Sequence, residues 1–177
     1  MSSSNRDLCL LLPALTMLGA CSWCSGLAGG EPAYEVLYKF IPFGHGANPG
    51  PLVLGTDGSF YGTARTRGVG AAGTIFKFDP AGGLMTLHSF QGSDGALPNG
   101  LVRASDGSFY GTTWSGGASD LGTVFKFEPT GVFVTIHSFD GTDGAHPLAG
   151  LVQATDGSFY GTTSGQFIDG GTIFKFN

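Results

Sequence analysis

The heptapeptide Asp-Gly-Ser-Phe-Tyr-Gly-Thr occurs three times, at 57–63, 106–112 and 156–162. The copies begin about 50 residues apart, and most of the chain beyond residue 33 repeats with them. A period of this length restricts the fold severely. One such unit cannot bury its own apolar face, so successive units must stack and share a core.

Composition narrows what each unit can be. The 177 residues include 32 Gly, well above the usual share of roughly 7%. These glycines alternate with Phe, Tyr, Val and Thr in short bursts, which predicts short strands joined by tight turns. A disordered chain would lack the aromatics. Eight Lys and Arg stand against 13 Asp and Glu with no basic cluster. Nucleic acid is therefore excluded as a partner, because phosphate neutralisation needs clustered cations. The three cysteines, Cys9, Cys21 and Cys24, all precede the repeats. No disulfide framework holds the array, and packing and backbone hydrogen bonds must do so.

The repeats divide as 34–80, 81–130 and 131–177. In the second unit, Leu84 to Phe90 reads as a strand, followed by a turn-rich loop from Gly92 to Pro98. Leu101 to Ser105 and Ser108 to Thr113 read as a hairpin, joined at Asp106-Gly107 by a two-residue type I′ turn. Asp57-Gly58 and Asp156-Gly157 are its equivalents. A Gly-rich loop then leads to a last strand, Gly122 to Phe127. Gly111, inside a strand, predicts a bulge or the close approach of another backbone.

The expected fold is all-β: tandem four-stranded antiparallel repeats of β-propeller blade type, for which about 50 residues per unit is the right length. Propellers carry 4–8 blades, and three units leave the ring incomplete, part of a longer array, or completed by a homo-oligomer. A β-trefoil, also three repeats of four strands, is the alternative.

Ahead of the repeats, Arg6 precedes an apolar run from Leu8 to Leu18. That is shorter than the roughly 20 residues a membrane span requires and fits a signal-peptide core. The run ends in Leu18-Gly19-Ala20-Cys21, which resembles a bacterial lipobox. By that resemblance 1–21 is a lipoprotein-type signal peptide and Cys21 receives the lipid. Residues 22–33, rich in Gly and Ser, then form a flexible tether. Gly26-Leu27-Ala28 offers ordinary signal cleavage as an alternative, giving a secreted or periplasmic product. The expected location is the outer membrane or cell surface, with the lipid as the sole membrane contact.

Gly-Thr-Val-Phe-Lys-Phe, His-Ser-Phe, Asp-Gly-Ala-x-Pro, Gly-Leu-Val and Asp-Gly-Ser-Phe-Tyr-Gly-Thr-Thr together resemble the GloVer tandem repeat of bacterial surface proteins with variable ("choice-of-anchor") sorting signals. The resemblance runs over nearly all of 36–176. It implies export, surface attachment, long arrays and no assigned chemistry. The family's C-terminal anchor has no counterpart here, so the N-terminal lipid is the expected anchor and truncation of a longer array is an expectation.

Comparison among the three copies separates residues the unit needs from residues free for other work. Asp57, Asp106 and Asp156 are turn residues; Asp79 and Glu128, Asp94 and Asp143, and Asp120 and Asp169 are matched pairs. No two carboxylates stand in the contrasting environments that glycoside hydrolysis requires. We expect no catalytic residue, no enzyme activity and no cofactor. His88 and His137 occupy matching strands where the first copy has Tyr38, which predicts structural histidines, not a metal site. His45 and His146 read as isolated loop residues. Asp140-Gly141-Thr142-Asp143-Gly144 lacks the ligand pattern of a calcium loop and reads as a turn.

The residues that break the repeat are Arg65, Arg67, Trp114, Gln166 and Phe167, placed in the loop between the third and fourth strands. Variable loops on a rigid scaffold are where binding is built, and Trp and Arg are common interface anchors. The expected role is a non-catalytic interaction or structural module at the bacterial surface, its partner a surface protein or glycan. A carbohydrate-binding domain using Trp114 is the alternative.

Overall fold

The structure is a computed structural model that describes residues 34–41, 44–165 and 170–177. The signal peptide, Cys21 and the whole of the tether lie outside the described residues, as do Gln166, Phe167 and Asp169. The chain divides into Met1–Glu35 and Val36–Asn177, and the strands among the described residues all lie in the second unit.

That unit is all-β, with three separate antiparallel sheets following one another along the chain. The first contains β1 (Ala47–Pro49), β2 (Val53–Leu54), β3 (Phe60–Thr66), β4 (Thr74–Asp79) and β5 (Gly83–Ser89). Its β1 and β2 both pair with β3 and act as one interrupted strand. In the second sheet the same strand is continuous: β6 (Ala96–Arg103), then β7 (Phe109–Ser115), β8 (Thr123–Phe127) and β9 (Phe133–Ser138), in the order β6-β7-β8-β9. The third contains β10 (Val152–Gln153), β11 (Phe159–Thr162) and β12 (Ile173–Phe176). These are successive meander sheets of blade type. A trefoil would close its strands into one barrel, whereas the described strands form three separate sheets with no pairing between them.

The sheets are out of phase with the sequence units. Leu84 to Phe90, expected to open the second unit, instead pairs with β4 as the outer strand of the first sheet. The strand expected last, 122–127, is accordingly third in its sheet. The physical reason is hairpin closure. Asp79-Pro80-Ala81-Gly82 is a tight turn, with Gly82 N–H donating to the Asp79 carbonyl at 3.1 Å, and it folds β5 back onto β4. Strand β6 also begins earlier than predicted, taking in Ala96, Leu97 and Pro98.

The Asp-Gly hairpins differ from the expected type I′ turn. Ala104 N–H donates to the Ser108 carbonyl at 2.8 Å, and Gly107 N–H to the Ala104 carbonyl at 3.0 Å. Only Gly107 has positive φ, +85°. This is a three-residue loop, a type I turn closed by a left-handed Gly. Asp106 stays right-handed because its Oδ1 accepts the Ser108 N–H at 2.9 Å; Asp57 and Asp156 do the same for Ser59 and Ser158.

The core lies in the seams between sheets. Tyr61 and Ile75 of the first sheet bury Phe109, Phe125 and Phe127 of the second together with Phe90. Val124 and Phe139 meet Leu151 and Phe159 at the next seam. Because β8 lies between two neighbours, Val124, Phe125 and Phe127 are all buried, on both faces.

The neighbour common to all three in-strand glycines is a side chain, and at Gly111 the close approach of another backbone expected from sequence is present as well. Gly62, Gly111 and Gly161 are the register partners of Phe76, Phe125 and Phe174. In each pair the aromatic ring folds across the glycine, and a Cβ there would meet ring Cζ at 2.7, 2.5 and 2.3 Å. The register shifts lie elsewhere, at Ile75/Phe76, Pro98/Gly100 and Val124/Phe125. At Gly111 the Gly100 carbonyl also closes in, to 2.5 Å. Gly111→Ala should therefore lower unfolding stability by roughly 1–3 kcal/mol, as overpacking does. Gly107→Asn, at an open left-handed position, should cost far less; urea denaturation of the two variants checks the contrast.

Candidate functional site

Two polar clusters recur from unit to unit. In the first, a lysine of the third strand lies beside the tyrosine of the second and reaches the turn aspartate. Lys77 Nζ is 2.7 Å from Asp57 and 5.8 Å from the Tyr61 ring centroid. Lys175 repeats this with Asp156 at 3.5 Å and Tyr160 at 5.5 Å. Lys126 sits over Tyr110 but divides its charge between Glu128 at 3.1 Å and Asp106 at 3.9 Å. The Lys77 hydrogen bond, aided by Ser59 N–H and Tyr61 Oη–H, holds the Asp57 carboxyl well below its usual range. Asp156 is also lowered, chiefly by the Ser158 N–H and then by Lys175. Asp57 in turn raises Lys77. Burial, then the neighbouring carboxylate, raises Tyr61. Asp57 and Asp156 thus move down and Lys77 and Tyr61 up, away from the near-neutral pKa that favours general acid–base catalysis.

The second cluster joins one sheet to the next. His88 of β5 bonds Asp94 at 2.9 Å, and its ring stacks on Phe133 with centroids 4.0 Å apart. His137 of β9 pairs with Asp143 in the same way. In the first copy Tyr38 and His45 occupy these two positions and meet edge to face at 6.2 Å. His45 also shares a 2.9 Å hydrogen bond with Thr86. Neither His45 nor His146 is the isolated residue expected. Asp140 accepts the Thr142 N–H and hydroxyl, which lower its pKa and fix a turn. Among the described residues no group of three His, Cys, Asp or Glu is placed to hold a metal.

Of the described repeat-breaking residues, Arg65 and Trp114 lie at the seams. Arg65 and Trp114 sit within β3 and β7, not in the following loop, because both strands run past the predicted boundary. Arg67 follows directly in a left-handed turn, φ +68°. Arg65 donates to Asn99 Oδ1 at 3.2 Å. Asn99 donates in turn to Thr112 Oγ1 at 3.1 Å and to the Pro147 carbonyl at 2.6 Å. One amide thus ties all three units together. Sequence reading passed over Asn99, yet it stands alone in the Pro-x-Gly-Leu stretch, where the first copy has Gly50 and the third Leu148-Ala149. Trp114 stacks on His146 with ring centroids 4.5 Å apart, and its carbonyl lies 3.0 Å from His146 Nδ1. One indole face is therefore occupied. The structure brings Arg65 to Asn99 and Trp114 to His146 at successive seams, but does not gather them into one pocket.

A cleft of about 620 Å³ lies over β5, lined by Leu84, Met85 and Leu87 with His45, Lys77 and Asp79. Each of its titratable groups is engaged: Lys77 with Asp57, His45 with Thr86, and Asp79 with the Ala81 N–H.

Fold and site together define an all-β tandem-repeat protein whose polar groups are spent on building and joining its units. The chain belongs to the Gloeobacter/Verrucomicrobia repeat family, whose model matches residues 27–177. No curated protein matches it. Among solved structures, the X-ray structure of a protein provisionally named a gluconolactonase is similar at 17% identity with a TM-score of 0.48. The similarity covers 72% of this chain and 48% of that one, so this chain spans about half of that protein's length.

Two outcomes test the assignment of these groups to structure. Asp57 and Asp156, lowered in the folded state, contribute stability that is complete above the ordinary carboxyl value of 3.8 and is lost as the pH falls below it. The urea midpoint should drop on acidification below that value, and replacing both aspartates by Asn should flatten the acid limb. Thr112 accepts from Asn99 and donates to the Ala149 carbonyl at 3.1 Å, whereas the buried hydroxyl of its counterpart Thr63 has no partner. Thr112→Val should cost about 1–3 kcal/mol and Thr63→Val almost nothing.

Proposed function

We propose that this chain is an exported, lipid-anchored interaction module of the bacterial cell surface, without catalytic activity. The observation that carries the reading is the repetition of its ionisable groups. The Asp–Lys pairs and the two His–Asp pairs serve the same structural purpose in each unit that has them. Catalysis needs groups set apart from their surroundings, with pKa values moved towards neutrality. The described carboxylates whose pKa departs from the ordinary value, Asp57, Asp140 and Asp156, all move down.

Contact with a partner falls to the residues that differ between units: Arg65, Arg67, Trp114, Gln166 and Phe167. A module of this kind holds a macromolecule by surface complementarity and needs no enclosed pocket. Export and anchoring rest on the apolar run before Leu18-Gly19-Ala20-Cys21. A single modified cysteine would place the repeats at the surface on the tether of residues 22–33.

Metabolic labelling with a radioactive fatty acid should mark the wild-type chain, and Cys21→Ser should lose the label and leave the membrane fraction. An unlabelled wild type would remove the anchor from this reading. A glycan array should show no binding. A sugar hit abolished by Trp114→Ala would replace the module reading with a carbohydrate-binding one.

A further inference from the structure

The three units are equivalent in sequence but not in burial, and the differences fall on two faces. At the same place in the third strand, Ile75 is 0% exposed, Val124 1% and Ile173 81%. The tyrosines that stack on the next sheet follow the same course. Tyr61 packs on Phe109 at 4.4 Å and Tyr110 on Phe159 at 4.3 Å, while Tyr160 is 36% exposed. At the other end Phe60, counterpart of the buried Phe109 and Phe159, is only half-buried. The tail face of the third sheet thus lacks what the head face of the first sheet offers.

A strand is missing at the same place. β4 and β8 each pair with an outer strand, β5 and β9, but nothing pairs with the far edge of β12 among the described residues. A cleft of about 250 Å³ lined by Phe139, Phe174 and Lys175 lies beside it. The chain also holds a segment that matches an outer strand in sequence but pairs with no sheet. Residues 34–40 align with 84–90 and 133–139, and their end is placed as an outer strand's end should be. Phe40 meets Phe76 at 5.0 Å and 67°, as Phe90 meets Phe125 at 5.4 Å and 64°, and Phe139 meets Phe174 at 5.2 Å and 65°.

We propose that two copies of this chain join head to tail, residues 34–40 of each pairing with β12 of the other as the missing fourth strand, to close a ring of six sheets. The register of β8 with β9 sets Lys126 opposite Val134 and Phe127 opposite Phe133. Carried to the joint, it sets Lys175 opposite Glu35, an opposite-charge cross-strand pair, and Phe176 opposite Tyr34. Tyr160 gains Phe60 of the other copy. The backbone adds a further bond. Leu97 and His146 donate their N–H groups to Ala72 and Leu121 of the preceding sheet at 2.8 Å, and Asn48, their equivalent, gains the Gly170 carbonyl. Two such joints close on themselves and give every sheet its outer strand. Three sheets from each copy give a total within the 4–8 blades that propellers use.

The test uses the chain with Cys9, Cys21 and Cys24 replaced by Ser. Light scattering should give twice the mass of one chain. Ile173→Arg should halve that mass with an unchanged circular dichroism spectrum, because Ile173 is exposed within a single copy. Oxidising a mixture of Glu35→Cys and Lys175→Cys chains should yield a covalent dimer, and exchanging the first for Lys39→Cys, four positions along the strand, should not. A single-chain mass for the parent, an undiminished mass for Ile173→Arg, or a Glu35–Lys175 disulfide formed only within one doubly substituted chain would each overturn the proposal.

Discussion

Everything in this fold turns on a phenylalanine at the middle of the third strand of each sheet. Phe76, Phe125 and Phe174 each lie over a glycine of the second strand. Each is met on its other side by the phenylalanine that ends the preceding outer strand. One ring therefore sets the spacing within its own sheet and fixes where the previous sheet ends. A larger residue at the glycine would push the ring out of the seam. A smaller one at the phenylalanine would leave the seam empty, and burial in such seams supplies most of the cohesion of repeats that contain no cysteine.

The backbone reinforces what the rings begin. In each Gly-Ala-x-Pro stretch the third residue is left-handed: Asn48 at +57°, Leu97 at +57° and His146 at +53°. For a residue other than glycine that conformation costs of order 1 kcal/mol or more. It is held because it turns the N–H of Leu97 and His146 towards the loop of the preceding sheet, where it finds a carbonyl at 2.8 Å. The strain is thus local, and the bond it permits runs between sheets.

Much of this was legible in the sequence. The period gave the number of units, and alternation gave the strands. The copy-to-copy comparison rightly assigned Asp57, Asp106 and Asp156 to turns. The phase of the sheets was not legible, because a cyclic pattern of four strands can be cut at any loop. Only the tight Asp79–Gly82 turn, once seen as a hairpin, decides where the cut falls. The turn type was missed because Asp-Gly serves two hairpin geometries equally well. They differ in whether the aspartate keeps its side chain on the Ser108-type N–H. The role of Asn99 was hidden for another reason. Its three partners come from three units, and contacts that distant leave no spacing to read. Arg65 and Trp114 were recognised as unusual but placed in loops, since extra strand residues beyond Thr113 and its counterpart Ala64 carry no alternation signal.

The main-chain bonds from Leu97 and His146 ask nothing of the side chains that make them, which are as different as an aliphatic and an imidazole. A joint of that kind is indifferent to ancestry. Any duplicated unit inserts with this main-chain bond already available, and deletion of a unit lets its neighbours meet through the same bond. Arrays of this design can change length by whole steps during evolution while their individual surfaces diverge. Copy number, more than the refinement of any one unit, becomes the variable on which selection acts.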